Sequence, residues 1–206
     1  MIVEAERSDE LGRGLVLEYF SLAYNVLEAV AGLVLGLAAG SVALVGFALD
    51  SVAEASSASV LVWRLRTERT GRRTAEEAEQ KAVRLVGGAF ILLATYVGVR
   101  AVFDLVTQAR PDESVGGIVL AAVSLVVMPV LAWRKRVVAR RLNSRALEAD
   151  SRQTTICTYL SAFLLVGLAA NSLFGWWWAD PVAGLLIAGV AANEGRELLT
   201  TKDFCC

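Results

Sequence analysis

The sequence predicts an all-α integral membrane protein with six transmembrane helices and both termini in the cytoplasm. Three observations carry that expectation. Apolar residues make up 56% of the 206-residue chain, above the roughly 45–50% of a soluble domain, and mean hydropathy is +0.55. The excess is gathered into blocks at about 15–38, 42–63, 82–106, 115–133, 154–175 and 181–199, each near the roughly 20 residues that cross a bilayer as a helix. Basic residues are gathered too, into the connections after the second and fourth blocks.

Helices are the natural form of these blocks, because an open sheet leaves backbone groups unsatisfied in lipid. Residues 1–14 are polar and mixed in charge, and are read as a cytoplasmic N-terminal segment. They lack the basic start and short apolar core of a signal peptide. Only Ala39, Gly40 and Ser41 separate the first two helices, which makes a tight hairpin. Gly32, Gly36 and Gly40 recur at spacing four along the first helix, a small-residue ridge that lets a neighbour approach closely. Ala48, Ser51, Ala55, Ser56 and Ser59 thin the second.

The next connection, "RLRTERTGRRTAEEAEQK", holds five arginines and a lysine. In the third helix Arg100 and Asp104 are four apart and neutralise each other near its outer end. Pro129 falls inside the fourth helix and is expected to kink it. The connection that follows, "RKRVVARRLNSR", holds six basic residues and no acid, whereas Arg110 is the one basic residue in the remaining three connections. Positive residues stay in the cytoplasm, so both basic connections lie on one side and the spans are even in number. Trp176, Trp177 and Trp178 then fall at the outer interface, where indole rings are favoured. Asp180-Pro181 reads as an N-cap and first helical residue for the sixth helix. Residues 15–199 thus form one transmembrane domain, multi-pass in the cell inner (plasma) membrane, with the lipid bilayer as its surroundings. Residues 200–206 form a short cytoplasmic tail that ends in Cys205 and Cys206.

Composition also excludes. Histidine is absent, which removes the usual imidazole metal ligand and pH switch. The three cysteines are too few and too oddly placed for a disulfide framework. Net charge is −1, and topology accounts for the basic connections, so no nucleic-acid partner is expected. There is no phosphate loop and no Ser/His/Asp set, so the chain is not read as an enzyme.

Against this apolar background the second helix keeps Asp50 and Glu54 one turn apart. An ionised group near the bilayer centre costs several kcal/mol and marks a functional candidate. Asp50 lies about nine residues into its helix, roughly 13 Å from the outer surface. The fifth helix runs the other way and carries Gln153 and Cys157, again four apart. Cys157 lies roughly 15 Å from the inner surface, at the depth of Asp50, and Gln153 at that of Glu54. Two carboxylates, a thiol and an amide can therefore face one another across one helix pair. Thiolate and carboxylates bind zinc well, and the thiolate favours softer ions. The plainer readings are a small buried thiol, an amide bonded to neighbouring backbone, and acids held in a structural ion pair. No arginine or lysine at matching depth is evident in the second or fifth helix. Asn25 and Glu28 in the first helix are accessory candidates, Glu28 as a proton carrier or a lining of the ion path. Asp150 either guides ions in from the cytoplasm or caps the fifth helix. Cys205 and Cys206 capture a soft cation, accept a lipid, or have no role.

The stretch "SLAYNVLEAVAGLVLGLAAGSVALVGFALDSVAEASSA" resembles the first two helices of the cation diffusion facilitator (cation efflux) family. "SRALEADSRQTTICTYLSAFLLVGL" and "GWWWADPVAGLLIAG" resemble its last two. The likeness covers almost all of the chain, while the third and fourth helices match mainly in length and hydropathy. "YNVLE", "DSVAE" and "WR" are similar to a divergent branch that includes synaptic-vesicle zinc-handling membrane proteins. The resemblance implies a six-helix exporter of zinc and related divalent ions, a homodimer driven by proton exchange. Its transport site pairs two acids on the second helix with a His/Asp pair on the fifth. Asp50 and Glu54 match the first pair; Gln153 and Cys157 stand where the family has His and Asp. The C-terminal cytoplasmic domain usual in the family is expected to be lacking.

The function expected is efflux of a divalent metal ion by alternating access, coupled to protons. The cargo is zinc foremost, with cadmium, cobalt, manganese or iron as other choices. A non-transporting membrane metal-binding protein and an exporter of small organic cations are the alternatives.

Overall fold

The computed structural model describes residues 2–69 and 76–200. The described residues form six α-helices: α1 (Ile2–Ala39), α2 (Val42–Arg69), α3 (Glu76–Thr107), α4 (Val115–Leu142), α5 (Arg145–Phe174) and α6 (Ala179–Thr200). The helices overrun the apolar blocks. The expected boundary at 14/15 falls inside α1, α4 continues past Trp133 to Leu142, and α5 begins at Arg145. Hydropathy marks where a helix meets lipid, whereas backbone hydrogen bonding carries the helix on into polar sequence. α4 also runs unbroken through Pro129.

Local chemistry sets the ends. Gly40 adopts φ +63°, and Ser41 N–H bonds the Gly36 carbonyl at 3.0 Å to close α1. α4 ends on left-handed Asn143, and Ser144 caps α5 by accepting from Leu147 N–H. Gly175, with φ +65°, ends α5.

α1 packs on α2, α3 on α6 and α4 on α5, and these pairs join around a centre of Leu44, Phe47, Ala121, Leu160, Leu164 and Ile187. The α1–α2 approach needs its glycines. A Cβ on Gly32 would stand 3.0 Å from the Ala48 Cβ, and one on Gly36 would stand 2.9 Å from Val45 Cγ2. At one end Leu11, Leu15, Leu65, Val138, Leu142 and Leu147 cluster, bringing together the start of α1, the ends of α2 and α4, and the start of α5. This basic end also carries the ion pair of Arg141 with Glu10 at 2.8 Å. At the opposite end Trp176 lies 5.2 Å from Phe174 and 5.4 Å from Trp178, ring centre to ring centre.

The outer faces are apolar: Val16, Leu27, Val34, Leu92, Val126 and Val166 are all exposed. Apolar patches of that extent mark contact with something other than water. Among the described residues, five helices are long and apolar enough to cross a membrane: Arg7–Ala39, Val42–Thr67, Phe90–Thr107, Val115–Leu142 and Ala146–Phe174. α6 falls short, since its apolar run lies between Asp180 at one end and Asn193 and Glu194 at the other. The chain is thus an all-α, multi-span membrane protein.

Asp180 corrects one expectation. Its carboxylate accepts from the Ser41 hydroxyl, from Val42 N–H at 3.0 Å and from Ala43 N–H at 3.4 Å. It caps the start of α2 rather than its own helix, so it ties α6 to the hairpin. A buried carboxylate suits that place, because a helix N-terminus presents unpaired N–H groups and a partial positive charge.

Candidate cation site

Within the bundle the polar side chains turn inward. Asp50 and Glu54 lie on one face of α2, both buried. α5 faces them with Cys157, which is 3% exposed, and with Gln153 one turn earlier. The Cys157 thiol donates to Asp50 Oδ2 at 2.8 Å. Two of the four expected side chains are thus in direct contact across the α2–α5 interface. Both carboxylate oxygens of Glu54 are buried without a hydrogen-bond partner. Gln153 is buried on the same side of α5, with no described bond to Glu54. Among the described residues, no three cysteine, aspartate or glutamate side chains close into a metal cage. The interface therefore holds a bonded sulfur–carboxylate pair with an unsatisfied carboxylate one turn along.

α1 lines the same interior. Glu18, Ser21, Asn25 and Glu28 step by three and four along one buried stripe. Glu28 accepts from the Ser51 hydroxyl at 2.8 Å, beside Asp50 in the chain. Asn25 has neither amide atom paired, and the Ser21 and Tyr24 hydroxyls are likewise without partners. On the α4–α5 side Ser161 donates to Ser124 at 3.0 Å. Buried polar groups are normally paired, so these groups mark a polar stripe inside an otherwise apolar bundle.

Towards the basic end the tract meets two residues that sequence reasoning missed. Lys135, counted above with a cytoplasmic connection, lies within α4 and is fully buried. Its ammonium pairs with Asp150, approaches Glu18 Oε2 at 3.4 Å and donates to Thr154 Oγ1 at 3.5 Å. Asp150 accepts a further bond from Ser57 at 3.1 Å. Asp150 is therefore not the cap of α5; it is one half of a buried ion pair. The signal for Lys135 was present, since the buried positions of α4 step by three and four from Gly117 through Ser124, Met128 and Leu131 to Lys135 and Val138. Arg100 and Asp104 pair as expected, at 3.1 Å. Cys205 and Cys206 lie outside the described residues.

Residues 19–202 match the cation efflux transmembrane domain. The chain belongs to the cation efflux family. That family consists of transporters rather than catalysts, so this member is not an enzyme. It is similar to an uncharacterized transporter of Synechocystis sp., 32% identical over 188 residues that cover 88% of this chain and 61% of that protein. The cation-efflux pump FieF of Shewanella oneidensis is 30% identical over 114 residues, 55% of this chain and 36% of the pump. Transmembrane protein 163 of Xenopus laevis is 24% identical over 190 residues, 91% of this chain and 66% of that protein. This cation efflux domain spans about three fifths of the length of the Synechocystis relative.

Proposed function

We propose that this cation efflux protein exports a divalent, zinc-like cation by alternating access, in exchange for protons. It works as a homodimer in the cell inner membrane, through six spans with both termini in the cytoplasm. The observation that carries the reading is the bond between Cys157 and Asp50, with the unpartnered Glu54 carboxylate a turn away. A cation that enters between them displaces the thiol proton and gains a thiolate and a carboxylate, which couples metal binding to proton release. Glu54 breaks no hydrogen bond in turning to the ion, so it is the cheapest third ligand. Gln153 or water completes four. Sulfur in the set favours zinc or cadmium over manganese, which prefers oxygen. The name of the Shewanella relative, a cation-efflux pump, supports the direction of transport.

The experiment is zinc flux in vesicles reconstituted with the purified protein. Zinc accumulation driven by a proton gradient is expected. Transport of tetramethylammonium with none of zinc would overturn the reading in favour of an organic-cation exporter. Tight zinc binding with no flux would overturn it in favour of a binding protein.

A further inference from the structure

The buried lysine calls for a function that stability does not supply. Ion pairs taken out of water seldom gain over apolar residues of the same size, yet here one ammonium from α4 draws on α1 and α5 at once. Asp150 is its close partner, Thr154 lies at 3.5 Å and Glu18 Oε2 at 3.4 Å. Glu18 is nevertheless left short: it is fully buried and neither of its oxygens has a hydrogen bond. Two carboxylates and a hydroxyl around one positive charge are a hard-oxygen cation site. The position is continuous with the sulfur-containing site. Ser57, which bonds Asp150, is one turn from Glu54 on α2, and Thr154 is one turn from Cys157 on α5.

We propose that Glu18, Asp150 and Thr154 form a second cation site, for a divalent metal ion, in which the Lys135 ammonium sits as a tethered competitor that the incoming ion displaces. The inference rests on the transport reading above and adds a staging position to it. Charge gives the order of events. Two carboxylates hold a doubly charged ion more strongly than a single charge at the same distance, so a divalent ion replaces the ammonium where a monovalent one does not. The lysine head moves on a flexible four-carbon stem, which a planar, fork-bonded arginine does not match. When the metal steps on to Asp50 and Cys157, the ammonium returns and closes the path behind it. Lys135 is thus a specificity-determining residue that excludes monovalent cations, and Asp150 and Glu18 are ligands in transit.

The test measures zinc stoichiometry by equilibrium dialysis on the purified, detergent-solubilised protein. At zinc concentrations too low to displace the ammonium, Lys135→Met, which keeps the stem and removes the charge, is expected to hold up to one zinc per chain more than the wild type, and at saturating zinc the two converge. Adding Asp150→Asn to that variant is expected to remove the extra ion. A second measurement needs no variant: acetylation of Lys135 by an amine-reactive reagent, read by mass spectrometry, is expected to rise several-fold when zinc is added to the wild-type protein. Equal zinc occupancy of wild type and a folded Lys135→Met at every zinc concentration overturns the proposal. If that variant does not fold, Lys135 acetylation unmoved by zinc overturns it. The two readings separate: extra zinc in Lys135→Met without wild-type flux removes the transporter and keeps this site. Wild-type flux with neither extra zinc nor altered acetylation removes this site and keeps the transporter.

Discussion

The Cys157 thiol and the Asp50 carboxylate, 107 positions apart in the chain, share a 2.8 Å hydrogen bond across the α2–α5 interface. A soft donor and a hard donor therefore already meet at one point, and each has a different consequence when it is changed.

Cys157→Ser keeps a donor for Asp50 and removes the sulfur. Zinc then loses a thiolate, whereas manganese gains an oxygen ligand that it prefers. The zinc-over-manganese preference is expected to fall about tenfold, or about 1.4 kcal/mol. Competition binding with the two metals checks this, and an unchanged ratio means that the sulfur does not touch the cargo.

Asp180→Ala removes the carboxylate that receives Ser41, Val42 and Ala43 at the head of α2. Losing a helix cap costs about 1–2 kcal/mol, and the released N–H groups stay buried. A lower unfolding temperature in detergent is expected, with Asp180→Asn intermediate because its amide oxygen still accepts. Equal melting of all three proteins would remove the inter-helix cap.

Gly36→Ala puts a methyl group 2.9 Å from both Val45 Cγ2 and the Val45 backbone nitrogen. Backbone does not yield cheaply, so the hairpin should open and the protein lose about 1–3 kcal/mol. Gly12→Ala is the control: nothing lies within 4 Å of its added carbon, and alanine is worth up to about 1 kcal/mol more than glycine inside a helix. The two variants are expected to move the unfolding midpoint in opposite directions.

Much of this arrangement was legible in the chain, for physical reasons. Blocks of bilayer length mark the helices, and depth counted at a fixed rise per residue is enough to set Cys157 opposite Asp50. The four-residue spacing of Arg100 and Asp104 was enough to pair them. Lys135 was missed because an apolar-block reading stops where charge begins, while the inward face of a helix does not; Glu18, inside the first block, was missed because its partner Lys135 is far along the chain. The stripe from Gly117 to Val138 passes straight through Lys135. Asp180 was misread because its partners are Ser41, Val42 and Ala43, at the far end of the chain, and only tertiary packing brings them together.

The most direct measurement is zinc flux into vesicles by the wild type and by Asp50→Ala, reconstituted at equal density and with equal unfolding temperatures. Wild-type flux, with Asp50→Ala at the level of protein-free vesicles, is the predicted result. Zinc carried at the wild-type rate by Asp50→Ala would contradict a transport site built on Asp50 and Cys157.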